Sequence, residues 1–192
     1  MKSMLGLINL YEDESGMGAL TRHRPLAAVP YAGRYRLIDF TLSNLVNAGV
    51  RTVGVLVRDK YRSLIDHLRS GKEWDLARKR DGLYILPPGY ISDAQCRSDV
   101  ENFNFNLDYI YASAEDFVVI CGSRTVCNLP IAQAFHYHIS VGADVTLICR
   151  DWPEGGVGPC LSSDDDGRVT GVCDPAEALS HAAAKPSPRR AC

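Results

Sequence analysis

Short apolar runs alternate with segments of helical periodicity along the first 150 positions. Each run is bounded by polar or turn residues, which is typical of a buried strand. The predicted strands cover 4–10, 52–57, 82–88, 117–121 and 145–149. The segments with a helical period cover 37–48, 61–68, 105–111 and 129–141. In the first of these helices, Asp39 is the expected N-cap and Gly49 the expected stop.

This alternation of strands and helices predicts a mainly parallel sheet built from βαβ units. Functional sites in such sheets lie beyond the carboxyl ends of the strands. We therefore expect functional residues in the loops that follow Leu10, Val57, Pro88 and Cys121.

The pattern changes after position 150. An acidic, turn-like segment at 162–168 leads into a β-rich stretch at 169–172. From position 174 onward the chain is rich in Ala, Pro, Ser and Arg and has no period. We predict one domain over 1–173 and a disordered tail over 174–192.

Charge and cysteine content narrow the classes of function. The formal net charge of -2 gives no general reason to expect nucleic acid or an anionic membrane as a partner. No apolar stretch is long enough to span a bilayer or to serve as a signal peptide, so we expect a cytoplasmic protein. The seven cysteines are irregularly spaced and form no CxxC pair, and we predict no metal site from them.

One segment is specific enough to indicate a family. Residues 20–50 read LTRHRPLAAVPYAGRYRLIDFTLSNLVNAGV. This run resembles the PAVPFGGxYRLIDFxLSNxxNSGI-like opening of bacterial ADP-glucose pyrophosphorylases (glucose-1-phosphate adenylyltransferases). The resemblance covers about residues 4–150. It implies a three-layer α/β/α, Rossmann-like nucleotidyltransferase domain with a mixed, mainly parallel sheet. The C-terminal left-handed β-helix of the family has no counterpart in this sequence.

The sequence departs from the active members of that family at the positions that carry the chemistry. Their first loop reads GGGxGTRLxPLT, whereas here only Gly16 and Gly18 remain, next to the acidic run Glu12-Asp13-Glu14. The lysine of their RAKP turn aligns with Leu26. Their GDH motif aligns with Gly122-Ser123-Arg124, so Ser123 replaces the aspartate that binds the metal.

These losses matter because nucleotidyl transfer from ATP to a sugar phosphate needs three things. Glycine amides let the backbone approach the triphosphate, a cation offsets its charge, and a carboxylate holds Mg²⁺. We therefore predict no catalytic residues and a vestigial site at Gly16, Gly18, Leu26, Ser123 and Arg124. No cofactor is expected, and Mg²⁺ would be one only if an active site survives.

The resemblance points to the non-catalytic, regulatory-type subunits that pair with an active homologue in glycogen biosynthesis. Two alternatives stay open at this point: an active glucose-1-phosphate adenylyltransferase that uses substituted residues, and a truncated fragment without function. A phosphorylated effector is a further candidate partner, because arginine side chains suit phosphate. The candidate arginines are Arg22, Arg24, Arg34 and Arg36. A solvated basic loop for the first two, and structural ion pairs for the last two, are the alternatives.

Overall fold

A computed structural model describes residues 2–11, 13–78, 81–88, 90–91, 94–95, 98–149 and 160–173. The chain divides into two compact units, Met1–Ala132 and Gln133–Cys192. The predicted tail at 174–192 lies outside the described residues. Within the described part of the chain, no helix is long and apolar enough to cross a membrane.

The elements follow one another in the order that the hydrophobic pattern predicts, with several additions. The strands are β1 (Met4–Asn9), β2 (Pro30–Tyr31), β3 (Tyr35–Arg36), β4 (Thr52–Leu56), β5 (Gly82–Leu86), β6 (Tyr90–Ile91), β7 (Ala94–Gln95), β8 (Phe117–Cys121), β9 (Cys160–Ser163) and β10 (Val169–Cys173). The α-helices are α1 (Leu37–Asn47), α2 (Arg62–Leu68), α3 (Asp99–Phe105), α4 (Leu107–Ala112) and α5 (Ile131–Val141). Short 3-10 helices cover Ser15–Thr21, Leu26–Ala28 and Lys72–Trp74.

The main sheet has four parallel strands in the order β5-β4-β1-β8. β4 and β5 add to one side of β1, and the chain then returns to place β8 on the other side. This confirms the predicted mainly parallel sheet. The antiparallel pairs that the structure describes are separate two-stranded ribbons, β2–β3, β6–β7 and β9–β10.

Helices cover both faces of this sheet, which gives the predicted three layers. A Cβ atom added to Gly6 on β1 would lie 3.1 Å from Leu45 Cδ1 of α1, so that helix packs directly on one face. On the opposite face, Leu7 belongs to a buried cluster against which Tyr109 and Ile110 of α4 pack. Close packing of this kind requires apolar residues on both faces of a strand, which explains the uninterrupted apolar run of β1.

The start of α1 differs from the prediction for Asp39. The N-cap residue is Arg36, and Asp39 lies three positions further along, inside the first turn. Asp39 Oδ2 accepts a hydrogen bond from the Arg36 backbone N–H at 2.9 Å. A carboxylate at this position caps the helix from within, because it accepts from the N-cap backbone in the manner of a capping box.

Two other predictions need correction. The prediction of a strand at 145–149 is wrong, because these residues form no ladder with any described strand. Val145, the first of them, is 74% exposed, and a strand without a partner or a buried face has nothing to stabilise it. The helix predicted at 105–111 corresponds to α4, and a second helix that was not predicted, α3, precedes it and ends at Phe105.

The second unit contains an antiparallel hairpin formed by β9 and β10. Gly167 in its turn has a φ of +81°, a left-handed conformation that favours glycine. The Asp164 side chain accepts a hydrogen bond from the Arg168 N–H at 2.8 Å and closes the turn. The acidic segment at 162–168 therefore includes the turn of this hairpin, as its sequence predicted.

Candidate functional site

A cavity of about 600 Å³ opens at the carboxyl ends of β1 and β4. Leu10, directly after β1, and Val57, directly after β4, form part of its apolar wall. Its polar rim comes from the loops that follow these two strands. The charged residues in this rim are Asp13, Glu14, Arg22, Arg58, Asp59 and Lys60. The cavity therefore lies where a parallel sheet is expected to carry a site.

Glu14 spans the interior of this rim. Its Oε1 accepts the backbone N–H of Leu26 at 2.6 Å, and its Oε2 lies 3.1 Å from Lys60 Nζ. The Lys60 ammonium also donates to the Thr21 carbonyl at 2.8 Å. The side chains of Glu14 and Lys60 are 19% and 31% exposed, so this ion pair is partly shielded from water. One carboxylate thus joins the first loop, the Leu26 turn and the loop after β4.

Asp13 has a different set of partners. Its two oxygens accept hydrogen bonds from the Ser15 backbone N–H and the Ser15 hydroxyl, each at 3.0 Å. These bonds, together with the positive charges of Arg124 and Arg58, hold the pKa of the Asp13 carboxyl below its ordinary value. Because β8 pairs with β1 in parallel, the loop after β8 leaves the sheet beside the loop after β1. The third carboxylate of the acidic run, Glu12, lies outside the described residues.

Leu26, the position at which the sequence resemblance leads us to expect a lysine in active members, is a core residue. It is 5% exposed, begins the short 3-10 helix Leu26–Ala28, and does not line the cavity. Its contribution to the site is its backbone N–H, which Glu14 binds. An apolar side chain here is favoured by burial and leaves no cation to reach a phosphate.

Ser123, which the sequence resemblance aligns with a metal-binding aspartate, is completely buried. The loop around it is fixed by α1 through hydrogen bonds. Thr41 Oγ1 donates to the Gly122 carbonyl at 3.0 Å, and Asn44 Nδ2 donates to the Cys127 carbonyl at 2.9 Å. The side-chain oxygen of Asn44 also accepts the Leu129 N–H at 3.2 Å. Through these contacts, Thr41 and Asn44 of α1 hold the loop after β8 in place.

The remaining vestigial and arginine positions are dispersed. Gly18, with a φ of +53°, lines the cavity, whereas Gly16 is exposed on the same 3-10 helix and does not. Arg22 lines the cavity and Arg24, although exposed, does not. The structure therefore brings one of the two adjacent arginines to the site.

The other two candidate arginines lie away from the cavity, one at the surface and one in a contact between two helices. Arg34 is exposed, and its guanidinium lies 5.7 Å from the ring centre of Tyr35. Arg36 donates from Nη1 to the Ser63 carbonyl at 2.5 Å, which ties the start of α1 to α2. Neither residue lines the cavity.

Sequence reasoning missed Lys60 and the partly buried contact between Asp39 and His67. Lys60 lies in the loop after Val57, which is one of the four loops that the sequence predicts to carry functional residues. Its positive charge in that loop is the feature by which the sequence could have identified it. His67 Nε2 lies 2.6 Å from Asp39 Oδ1, and neither of these side chains lines the cavity. This pair joins α1 to α2, and no local motif predicts it because the partners lie 28 positions apart.

The residues described here do not fit a magnesium ion. Within the described ranges, no group of three or more His, Cys, Asp or Glu side chains could hold a metal. Mg²⁺ requires near-octahedral oxygen coordination with at least one carboxylate. Of the three rim carboxylates, Asp13 binds Ser15, Glu14 binds Leu26 and Lys60, and Asp59 is the third. Ser123 supplies a buried hydroxyl.

Comparison with known proteins gives consistent matches. Residues 17–170 match the model of the nucleotidyl transferase family. The chain is 44% identical over 149 residues to the "Glycogen biosynthesis protein GlgD" of Bacillus subtilis strain 168, covering 77% of this chain and 43% of that protein. It is 37% identical over 154 residues to the "Glucose-1-phosphate adenylyltransferase" of Pseudothermotoga lettingae, covering 80% of this chain and 37% of that protein. The chain thus spans less than half the length of these relatives.

Proposed function

The chain belongs to the nucleotidyl transferase family, and from that premise we propose that it is a non-catalytic, regulatory-type subunit of a glucose-1-phosphate adenylyltransferase in glycogen biosynthesis. The similarity to proteins named for glycogen biosynthesis and for glucose-1-phosphate adenylyltransfer supports the pathway. The partner would be a catalytic homologue, so the functional assembly would be a hetero-oligomer.

The observation that carries the non-catalytic part is the environment of Leu26. At the position that the resemblance aligns with Leu26, active members of the family carry a lysine, and its positive charge would offset the negative charge of the triphosphate. Here the side chain is buried and the adjacent backbone N–H is bound by Glu14. A phosphate entering this position would meet a carboxylate, and a like-charge contact at about 4 Å costs on the order of 1–4 kcal/mol, depending on the local dielectric.

The loop after β8 supports the same proposal. The aspartate that would hold Mg²⁺ is replaced by the buried Ser123, and a single hydroxyl is a poor ligand for this ion. Arg124 follows it and contributes a positive charge near Asp13, so the electrostatics differ in sign from a metal-binding carboxylate. The missing carboxylate removes the metal-based transition-state stabilisation that nucleotidyl transfer requires.

The test measures ADP-glucose synthesis from ATP, Mg²⁺ and glucose-1-phosphate. The chain is assayed alone and then mixed with an active homologue from the same source. We expect no synthesis by the chain alone and a changed rate, or a changed response to phosphorylated effectors, in the mixture. The matched control is the mixture with an equal amount of an unrelated protein of similar size.

Two results would contradict the proposal in different ways. Turnover by the pure chain would show that it is an enzyme that uses substituted residues. A mixture whose rate and effector response equal those of the homologue alone would show that the chain does not act as its regulatory subunit.

A further inference from the structure

The charged rim of the cavity contains three acidic and three basic side chains, Asp13, Glu14, Asp59, Arg22, Arg58 and Lys60. Glu14 and Lys60 form an ion pair at 3.1 Å, and this contact bridges the two loops that enclose the cavity. The balance of charge alone predicts no ligand. The arrangement of the donors around Glu14 is more specific.

The partners of Glu14 are the ones that a bound phosphate would use. One of its oxygens accepts a backbone N–H from Leu26, and the other accepts from the Lys60 ammonium. Loops that bind phosphate combine backbone N–H groups with a lysine in the same way. Because Lys60 also donates to the Thr21 carbonyl, its ammonium has a second contact that does not depend on Glu14.

We propose that Glu14 is a tethered anion that occupies a phosphate-binding position in this cavity, makes the cavity reject phosphorylated ligands, and leaves it able to bind inorganic diphosphate once its charge is removed. This inference rests on the proposed function, because it takes the cavity to be a modified nucleotide site. It assigns the rejection to Glu14 rather than to the acidic run as a whole.

The difference between Glu14 and Asp13 makes the assignment testable. Both carboxylates lie in the same loop and line the same cavity. Asp13 binds the neighbouring Ser15, whereas Glu14 binds Leu26 and Lys60 in two other segments of the chain. Removing either charge changes the net charge of the loop equally, but only the change at Glu14 removes the ion pair that occupies the Lys60 ammonium.

The experiment measures binding of inorganic diphosphate by isothermal titration calorimetry at fixed ionic strength. We compare the wild-type chain with Glu14→Gln, with the matched control Asp13→Asn, and with the double variant Glu14→Gln/Lys60→Met. We expect Glu14→Gln to bind diphosphate at least about tenfold more tightly than the wild-type chain, because it removes one like-charge contact. Asp13→Asn should stay within about threefold of the wild type, and the double variant should lose the gain.

Folding is checked separately by circular dichroism and thermal unfolding. Glutamine keeps an oxygen that can accept the Leu26 N–H, so Glu14→Gln should fold, and Glu14→Ala serves as a second neutral variant. The inference is overturned if a folded Glu14 variant gains no affinity, if Asp13→Asn gains as much, or if the wild type already binds diphosphate as tightly. None of these results contradicts the proposed regulatory role if the chain changes the rate or the effector response of the active homologue in the mixture. ADP-glucose synthesis by the pure chain would contradict both the proposed function and the inference about Glu14.

Discussion

The substitution Asn44→Ala tests how the loop after β8 is held in place. Asn44 is a buried residue of α1, and its side chain forms one hydrogen bond to the Cys127 carbonyl and one from the Leu129 N–H. Alanine removes both bonds without disturbing the helix backbone. The loop that contains Ser123 and Arg124 would then lose one of its attachments to α1.

The magnitude follows from these two bonds. Each contributes about 0.5–1.5 kcal/mol net, so their joint loss costs about 1–3 kcal/mol. Alanine has a higher helix propensity than asparagine, which returns up to about 0.7 kcal/mol. The expected loss in the free energy of unfolding is therefore about 0.3–3 kcal/mol. Asn44→Asp should be at least as destabilising, because it keeps the acceptor for Leu129 but places an oxygen against the Cys127 carbonyl.

The assay combines urea unfolding with hydrogen exchange at the Leu129 amide. The control is Ser43→Ala, whose hydroxyl donates to the Asp39 carbonyl within the same helix and is exposed. This control should change the free energy of unfolding by no more than about 0.5 kcal/mol. If Asn44→Ala is as stable as Ser43→Ala and Leu129 exchanges no faster, the side chain of Asn44 does not hold the loop.

Two further predictions concern packing and thiol reactivity. Gly54→Ala should lower the free energy of unfolding by about 1–3 kcal/mol in urea titrations, because the new Cβ would lie 2.8 Å from Tyr109 Cε1. The control is Gly16→Ala, where a new Cβ would have no atom within 4 Å. Equal losses of stability in the two variants would contradict the packing argument. Burial raises the pKa of Cys121 to about 11, so at pH 8 only about one thousandth of it is thiolate. Iodoacetamide should therefore label the exposed Cys127 before Cys121, and the labelling of Cys121 should rise only as the pH approaches 11. Equal labelling rates of these two cysteines at pH 8, measured by mass spectrometry, would refute this reasoning.

The parallel sheet could be predicted from sequence because its two central strands, β1 and β4, are buried on both faces, whereas the edge strand β8 exposes Val118 and Ile120. β1 and β4 are continuous apolar runs, and residues of both have no exposure in the structure. A run of this kind is distinctive, since a strand with one solvated face would alternate instead. An apolar run does not show whether a neighbouring strand is available to pair with it. For this reason the prediction of a strand at 145–149 is wrong.

The start of α3 was missed although a local signal was present. Ser98 and Glu101 form a capping box, with the Ser98 hydroxyl accepting the Glu101 N–H at 3.2 Å. A serine followed by a glutamate three positions later is the sequence signature of this motif. The apolar periodicity of α3 is weak, since Val100 is 76% exposed, so the cap and not the hydrophobic pattern marks this helix.

At the candidate site, sequence could identify the loops but not the pairing between them. The acidic run after β1 was visible, yet nothing in it distinguishes Asp13 from Glu14. Their roles separate only through distant partners, because Lys60 lies 46 positions beyond Glu14. Contacts over such separations depend on strand order, which brings the ends of β1 and β4 together.

The departures at Glu14 and Leu26 are better understood together than as independent losses. Without Glu14, the backbone N–H of the buried Leu26 would need another acceptor, whereas the Lys60 ammonium would keep the Thr21 carbonyl. Glu14 accepts from both donors, so both are satisfied within the chain. A buried donor without a partner costs about 1–3 kcal/mol, which gives a physical reason for an acidic residue beside the Leu26 N–H. Under the function proposed above, the cavity would be a form of a nucleotide site in which the charges of Glu14 and Lys60 balance each other.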